Sequence, residues 1–174
     1  MQHLNIEIKA KTENQNQIRE KLTSLGAEFK GTDFQTDTYF NVNSGRLKLR
    51  EGNIENHLIY YQRDNNFGLK QSDVILFKSE SNSILKEILT NALGVKVEVR
   101  KQREIYFIDN VKFHIDQVDS LGAFVEIEAI NLSGQINKEK LYEQCNYYLN
   151  LFGISEKDFV SVSYSDLILE NNKT

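Results

Sequence analysis

The chain has no proline, a single cysteine and only nine glycines in 174 residues. It also lacks any apolar run of membrane-spanning length. Without proline there is no proline-rich linker, and no low-complexity block, internal repeat or shift in composition marks a boundary between domains. A chain of this length buries a substantial core without covalent staples. One cysteine excludes an internal disulfide. Cys145 falls at helical spacing with Leu141 and Leu149, the pattern of a packed thiol in a reducing compartment. The opening residues Met1-Gln-His-Leu run straight into an alternating segment with no apolar leader, so the expectation is a cytoplasmic protein without membrane contact. Basic charge is not in excess either: 21 lysines and arginines stand against 25 aspartates and glutamates, a formal charge of −4. A nucleic-acid binder held by a broadly basic surface is thereby excluded, and charge has to be read strand by strand.

What the chain does have is alternation. Leu4 to Lys11 places Leu4, Ile6, Ile8 and Ala10 on one side and Asn5, Glu7, Lys9 and Lys11 on the other, the period of a strand. Thr36 to Asn41, Arg46 to Glu51 and His57 to Asp64 follow as strands joined by the Asn/Gly-rich turns NVNSG and EGNIEN, and Val74 to Ser79 continues the series. Val95 to Ile108 and Val111 to Val118 make a long hairpin turning at Asp109-Asn110, and Ala123 to Ile130 is a further strand. Helical spacing occurs three times. Gln15 to Leu25 carries Ile18, Leu22 and Leu25 on one face, with Gly26 as its stop. Asn82 to Leu93 turns Ile84, Leu85, Ile88 and Leu89 inward, with Asn82 or Ser83 as cap, and Lys138 to Phe152 is the last long helix. Val160 to Leu169 closes the structure, and Glu170 to Thr174 is a frayed tail, leaving residues 1–169 as one domain. Antiparallel strands with helices inserted at three places predict an α+β fold whose sheet curls toward a barrel.

Same-sign charges recur at alternate positions. Arg46, Lys48 and Arg50 share one strand face, Lys101 and Arg103 another, Glu126 and Glu128 a third, and Glu7 lies with Lys9 on the first strand. Alternate strand residues are about 7 Å apart, where like charges repel by roughly 2 kcal/mol at an effective dielectric near 20. Pairs segregated by sign onto different strands point to charged faces that meet across an enclosed space, with leucine, isoleucine and valine turned outward beneath the helices. Such a tunnel suits a polyphosphate, whose oxygens engage lysines and arginines directly and carboxylates through Mg²⁺ or Mn²⁺. Two plainer readings stand beside it. One is antiparallel strands with a wet, charged face; the other is a structural ion-pair network, although desolvation makes that a poor source of stability.

Specific strings add a resemblance. Asn5-Ile-Glu-Ile-Lys-Ala10 resembles the E-x-E-x-K signature of the CYTH superfamily, the triphosphate tunnel enzymes that include class IV adenylyl cyclases and thiamine triphosphatase. QTDTYFN at 35–41, GRLKLRE at 45–51, LIYYQRDNNFGLKQSD at 58–73, RKQREIYFIDNVKFHIDQVDSLGAFVEIE at 100–128 and SYSDL at 163–167 are similar, in order, to the CyaB-like, class IV cyclase branch. Nearly the whole chain is covered. The resemblance implies an eight-stranded antiparallel tunnel open at both ends, holding a triphosphate with Mg²⁺ or Mn²⁺ on its acidic side. It implies Glu7, Glu126 and Glu128 as metal ligands assisted by Asp116, and Lys9, Lys48, Arg50, Arg63, Lys101 and Arg103 as the triphosphate-binding cations, with Glu7, Lys9, Lys101 and Arg103 as the catalytic set. One position departs from the pattern: Asn5 stands where the signature has its first glutamate and brings a carbonyl without a charge, which bears on metal affinity and activity.

Two chemistries fit such a tunnel. The nearer by motif is a class IV adenylyl cyclase converting ATP to cyclic AMP and pyrophosphate; the other is a triphosphatase acting on thiamine triphosphate, inorganic triphosphate or a nucleoside triphosphate. A third reading, from another class, is a non-catalytic module that binds nucleotide or polyphosphate. The expected partner is ATP or thiamine triphosphate, with no nucleic acid and no membrane, and the resemblance is compatible with a homodimer. Smaller assignments accompany these. His114 shares a face with Asp116 and either reaches the tunnel or is structural, and His3 and His57, near strand ends, are exposed. Tyr61 packs beside the ligand or in an aromatic core, Tyr164 closes one mouth, and Lys70, in a turn after Gly68, folds over the phosphates as a lid or is simply solvated.

Overall fold

Strand β1 (Gln2–Lys11) is followed by helix α1 (Gln15–Ser24), strands β2 (Glu28–Phe40), β3 (Arg46–Glu51), β4 (His57–Arg63) and β5 (Lys70–Lys78), helix α2 (Leu85–Leu93), strands β6 (Val95–Ile108), β7 (Val111–Val118) and β8 (Gly122–Asn131), and helices α3 (Lys138–Phe152) and α4 (Tyr164–Asn171). The computed structural model describes residues 2–63 and 68–173, the side chains of Gln2 and His3 excepted. Asp64, placed at the end of a strand by pattern, and the exposure of His3 lie outside the described residues. All strand pairs are antiparallel, and the sheet closes on itself in the order β1-β5-β4-β3-β2-β6-β7-β8. Closure comes from β1, which pairs with β5 on one edge and β8 on the other, so that Glu7 stands opposite both Lys70 and Glu128. Among the described residues, no helix is long and apolar enough to cross a membrane.

The core lies outside the barrel wall. Ile6, Ile8 and Ala10 of β1, Phe113 and Ile115 of β7, and Val125 and Ile127 of β8 turn outward and are buried under α1 and α3. From α3, Leu141, Cys145, Leu149 and Phe152 supply the facing stripe, and the Cys145 thiol donates to the Ile6 carbonyl at 3.3 Å. Helix α3 starts where the Asn137 side chain accepts from the Lys140 amide at 2.8 Å and stops where Gly153 takes φ 69°. A second, smaller cluster packs Tyr164 of α4 on Phe124 at a centroid distance of 4.9 Å.

Several elements differ from the sequence expectation, each for a tertiary reason. Strand β2 begins at Glu28, well before Thr36, because the long β6 partners it throughout, with register shifts at Phe29/Gly31 and Tyr39/Phe40. Strand β5 begins at Lys70, which is therefore a buried strand residue and not a lid. Helix α2 starts at Leu85 without a side-chain cap, Asn82 taking the left-handed conformation before it. Its apolar stripe does not face inward: Ile84 and Ile88 are 68% and 54% exposed. Leu25, after α1, is exposed as well. The outward-apolar arrangement also reverses on two strands. On β4 and β5 the apolar side chains Ile59, Tyr61, Val74 and Leu76 line the inside, while Phe77 points out and is 64% exposed.

Candidate functional site

Alternation on each strand sends one set of side chains into the barrel, and closure brings those sets together. The cavity lining includes Glu7, Lys9, Lys48, Arg50, Arg63, Lys101, Arg103, Glu126 and Glu128, so nine of the ten residues singled out for the triphosphate and the metal share one space. The tenth, Asp116, lies fully buried behind Arg103. The volume between these side chains is about 1080 Å³, the solvent at its open parts included. Among the described lining residues, eight lysines and arginines stand against five carboxylates, a local positive excess inside a chain whose net charge is −4.

Seven of these cations, Lys70 being the exception, have an acidic neighbour within 4 Å among the described residues. Asp37 accepts from three of them: Arg50 Nε and Nη2 at 2.8 and 2.9 Å, Lys48 Nζ at 2.9 Å and Lys101 Nζ at 2.8 Å. Burial alone would raise the Asp37 carboxyl, but Arg50, Lys101 and Lys48 hold it well below the usual carboxylate range. Arg103 forks onto Asp116 at 2.7 and 2.5 Å and reaches Glu126 at 3.0 Å; the Tyr164 hydroxyl also donates to Asp116, at 2.8 Å. Both Asp116 oxygens are thus engaged, which makes it the counter-ion of Arg103. Lys9 lies 3.5 Å from Glu126 and 3.9 Å above the Tyr164 ring, placing Tyr164 within the lining. Arg63 donates to Glu7 at 3.0 Å, and its Nε and Nη2 are buried without a partner among the described residues.

The turn after β3 is set by Asp33, whose carboxylate accepts from the Ile54 and Glu55 amides at 2.8 and 2.9 Å. A Cβ at Gly52 would meet Asp33 Oδ1 at 2.5 Å, so the chain passes there only with glycine. This turn delivers Glu55 into the barrel, where it pairs with Lys112 and with Arg50. Asp37, Glu55 and Lys112 are not singled out by the sequence, and Lys70, expected as a lid or a solvated turn residue, lines the cavity from β5. Lys112 alternates with His114 and Asp116 within VKFHID, and that period is signal enough; Asp37, within QTDTYFN, has no such partner, and Glu55, carried by a turn, has none either. His57 is half-buried in the wall and not exposed. His114 reaches the cavity with Nδ1 3.1 Å from Glu126, and its Nε2 is buried without a partner among the described residues. Burial, reinforced by Arg103, pushes His114 down to about 3, so it is neutral.

Crowding moves other groups toward neutrality. Burial lowers Lys101 to about 7, with Arg50, Arg103 and Lys48 adding to the effect against Asp37. Burial lowers Lys70 to about 8, helped by Arg63 and Lys9. Glu128 is raised to about 7 by burial, with Glu7, Glu126 and Glu55 opposing Lys112. Glu126, by contrast, is held well below its usual value despite burial, because Arg103 and Lys9 face it.

Among the described residues, no three carboxylate, histidine or cysteine side chains converge as a ready ligand set. The donors at the acidic side nonetheless fit a hard divalent cation, which prefers oxygen. Glu7 and Glu128 oppose one another across β1 and β8. The Asn5 amide nitrogen donates to Glu128, leaving Asn5 Oδ1 buried without a partner among the described residues. A cation there would relieve the pressure that raises Glu128.

A family model described as the CYTH domain matches residues 3–164. A curated protein of Methanocaldococcus jannaschii, provisionally named an adenylate cyclase, is 30% identical over 173 residues, with 94% of this chain and 98% of that protein covered. A solved Pyrococcus horikoshii structure superposes with a TM-score of 0.77 at 26% identity, covering 94% of this chain and 98% of its own. A Hippeastrum protein, provisionally an adenylyl cyclase and described as having a dominant triphosphatase activity, superposes with a TM-score of 0.63 over 99% of this chain and 96% of its own. At 12% identity that last likeness is one of fold alone.

Proposed function

The chain belongs to the CYTH domain family, and from that premise we propose that its barrel binds a triphosphate-bearing small molecule with Mg²⁺ or Mn²⁺ and cyclises ATP to cyclic AMP and pyrophosphate. The observation that carries this reading is the excess of basic side chains inside the barrel of an acidic chain, a field that attracts a bound anion. Arg50 and Arg103 offer forked donors and Lys9, Lys48 and Lys101 point charges to the phosphate oxygens, and Arg63 contributes N–H groups that have no other described partner. Glu7, Glu126 and Glu128 would hold the divalent cation, which when bound neutralises phosphate charge and polarises the reacting phosphoryl group.

In the cyclase reaction the ribose 3′-oxygen bonds to the α-phosphorus as the bond to the β-phosphate oxygen breaks. Lys101 and Arg103 take up the charge that develops on the leaving pyrophosphate. The hydroxyl proton passes to the carboxylate of Glu128, whose proton affinity is raised by burial. The second reading is hydrolysis, in which water attacks the γ-phosphorus and phosphate leaves; the Hippeastrum protein is the precedent that this fold hosts a triphosphatase.

Product analysis separates them. With ATP, thiamine triphosphate and inorganic triphosphate supplied in turn under Mg²⁺ and Mn²⁺, cyclic AMP with pyrophosphate is the expected outcome, and Glu126→Gln should cut turnover by about 100-fold. Orthophosphate alone would replace the cyclase with the triphosphatase. Binding without any product would leave a non-catalytic module.

A further inference from the structure

The barrel interior is not charged all round. Ile59 and Tyr61 of β4 and Val74 and Leu76 of β5 form a two-by-two apolar block, Ile59 standing opposite Leu76 and Tyr61 opposite Val74 in the register. All four line the cavity. In the closed strand order β4 and β5 lie across the barrel from β6 and β7, which carry Lys101, Arg103 and His114. The block therefore faces Lys101 and Arg103 over the space where a ligand would sit. Other cations border it: Arg63 and Lys70 continue the same rows on β4 and β5, and Lys48 Nζ lies 5.8 Å from the centre of the Tyr61 ring.

Two uncharged polar side chains also lie at its border. Ser72, two residues before Val74 on the same face of β5, is the register partner of Asn5. Ser72 Oγ and Asn5 Oδ1 are both buried and both without a hydrogen-bond partner among the described residues. Buried hydroxyls and amide oxygens are normally satisfied, because an unpaired one has lost its water without gaining a partner. An apolar wall with a few unspent polar atoms at its edge is the chemistry of a site for a flat, nitrogen-bearing organic ring.

Inorganic triphosphate has no use for such a wall. It would leave Ile59, Val74 and Leu76 against water and Ser72 unpaired, while a ligand with an organic group covers the one and can pair the other. Resting on the reading of the cavity as a triphosphate site, we propose that the Ile59–Tyr61–Val74–Leu76 wall, with Ser72 at its border, seats a heteroaromatic ring joined to the phosphates. The tunnel is thereby selective for an organic triphosphate over the inorganic ion, and these residues determine that specificity.

The test compares equilibrium binding of ATP and inorganic triphosphate. Leu76→Ala should weaken ATP about tenfold, as loss of apolar contact in a pocket does, and leave inorganic triphosphate within about twofold. Val74→Thr keeps the shape of the side chain and should weaken ATP alone by a few-fold. The unaltered protein supplies an independent measurement: methyl resonances of Ile59, Val74 and Leu76 should shift with ATP and not with inorganic triphosphate. Equal losses for the two ligands, or equal methyl shifts, would make the wall mere packing and overturn the proposal. If the unaltered protein binds inorganic triphosphate as tightly as ATP, the selectivity is refuted while the triphosphate site stands. Should it bind neither, the triphosphate reading itself falls, and this proposal with it.

Discussion

Lys101 shows what a residue's surroundings add to its chemistry. Its side chain is 1% exposed and its ammonium is 2.8 Å from Asp37, yet Arg50, Arg103 and Lys48 crowd it, and burial brings its titration down to about 7. Lys101 is charged below that value and neutral above it, so its attraction for an anion is lost as pH rises through about 7. Affinity for inorganic triphosphate should therefore fall between pH 6 and pH 8, by up to about tenfold for one charge-assisted contact. Arginine stays protonated across this range, so Lys101→Arg should flatten the profile. A profile of unchanged slope in the variant would remove Lys101 from the phosphate row. Alternation made Lys101 and Arg103 visible in the sequence as a pair, whereas Asp37 was passed over although it holds three of the cations. An aspartate between threonines has no periodic partner of its own sign, and its role exists only once β3 and β6 flank β2.

Helices α2 and α3 carry similar apolar stripes in sequence and meet different fates. In α3, Leu141, Cys145, Leu149 and Phe152 are buried against β1, β7 and β8, so the periodicity found both the helix and its inner face, and its bounds agree with the predicted Lys138 to Phe152. In α2 no residue is buried, and Ile84 and Ile88 face solvent. Periodicity reports that a helix has an apolar side; it does not report what covers it. Leu141→Ala should lower unfolding stability by about 2–5 kcal/mol, the cost of a buried cavity, while Ile88→Ala should stay within about 0.5 kcal/mol. Urea denaturation of the two variants measures both, and equal losses would mean that α2 is buried in solution.

At the scale of the whole barrel the interior is a balance of charges that leans positive, and Asp37 is the point on which three cations depend. Asp37→Asn keeps the shape and removes the charge, leaving Lys48, Arg50 and Lys101 to repel one another, at a cost of about 3–5 kcal/mol for a broken buried pair. Inorganic triphosphate should then raise the melting temperature of the variant more than that of the unaltered protein, because the ligand supplies the missing negative charge. A variant that melts at the unaltered temperature would show that the network is not stressed. By itself the sequence determined which side chains share a strand face, where the β6–β7 hairpin turns and that α3 is a buried helix, because periods of 2.0 and 3.6 are local properties of the backbone. Which face of a strand looks inward, which strands are neighbours, and that Glu55 from a turn and an apolar wall from β4 and β5 share the cavity were decided by closure of β1 between β5 and β8. Those relations rest on pairings between residues far apart in the chain, and no local pattern encodes them.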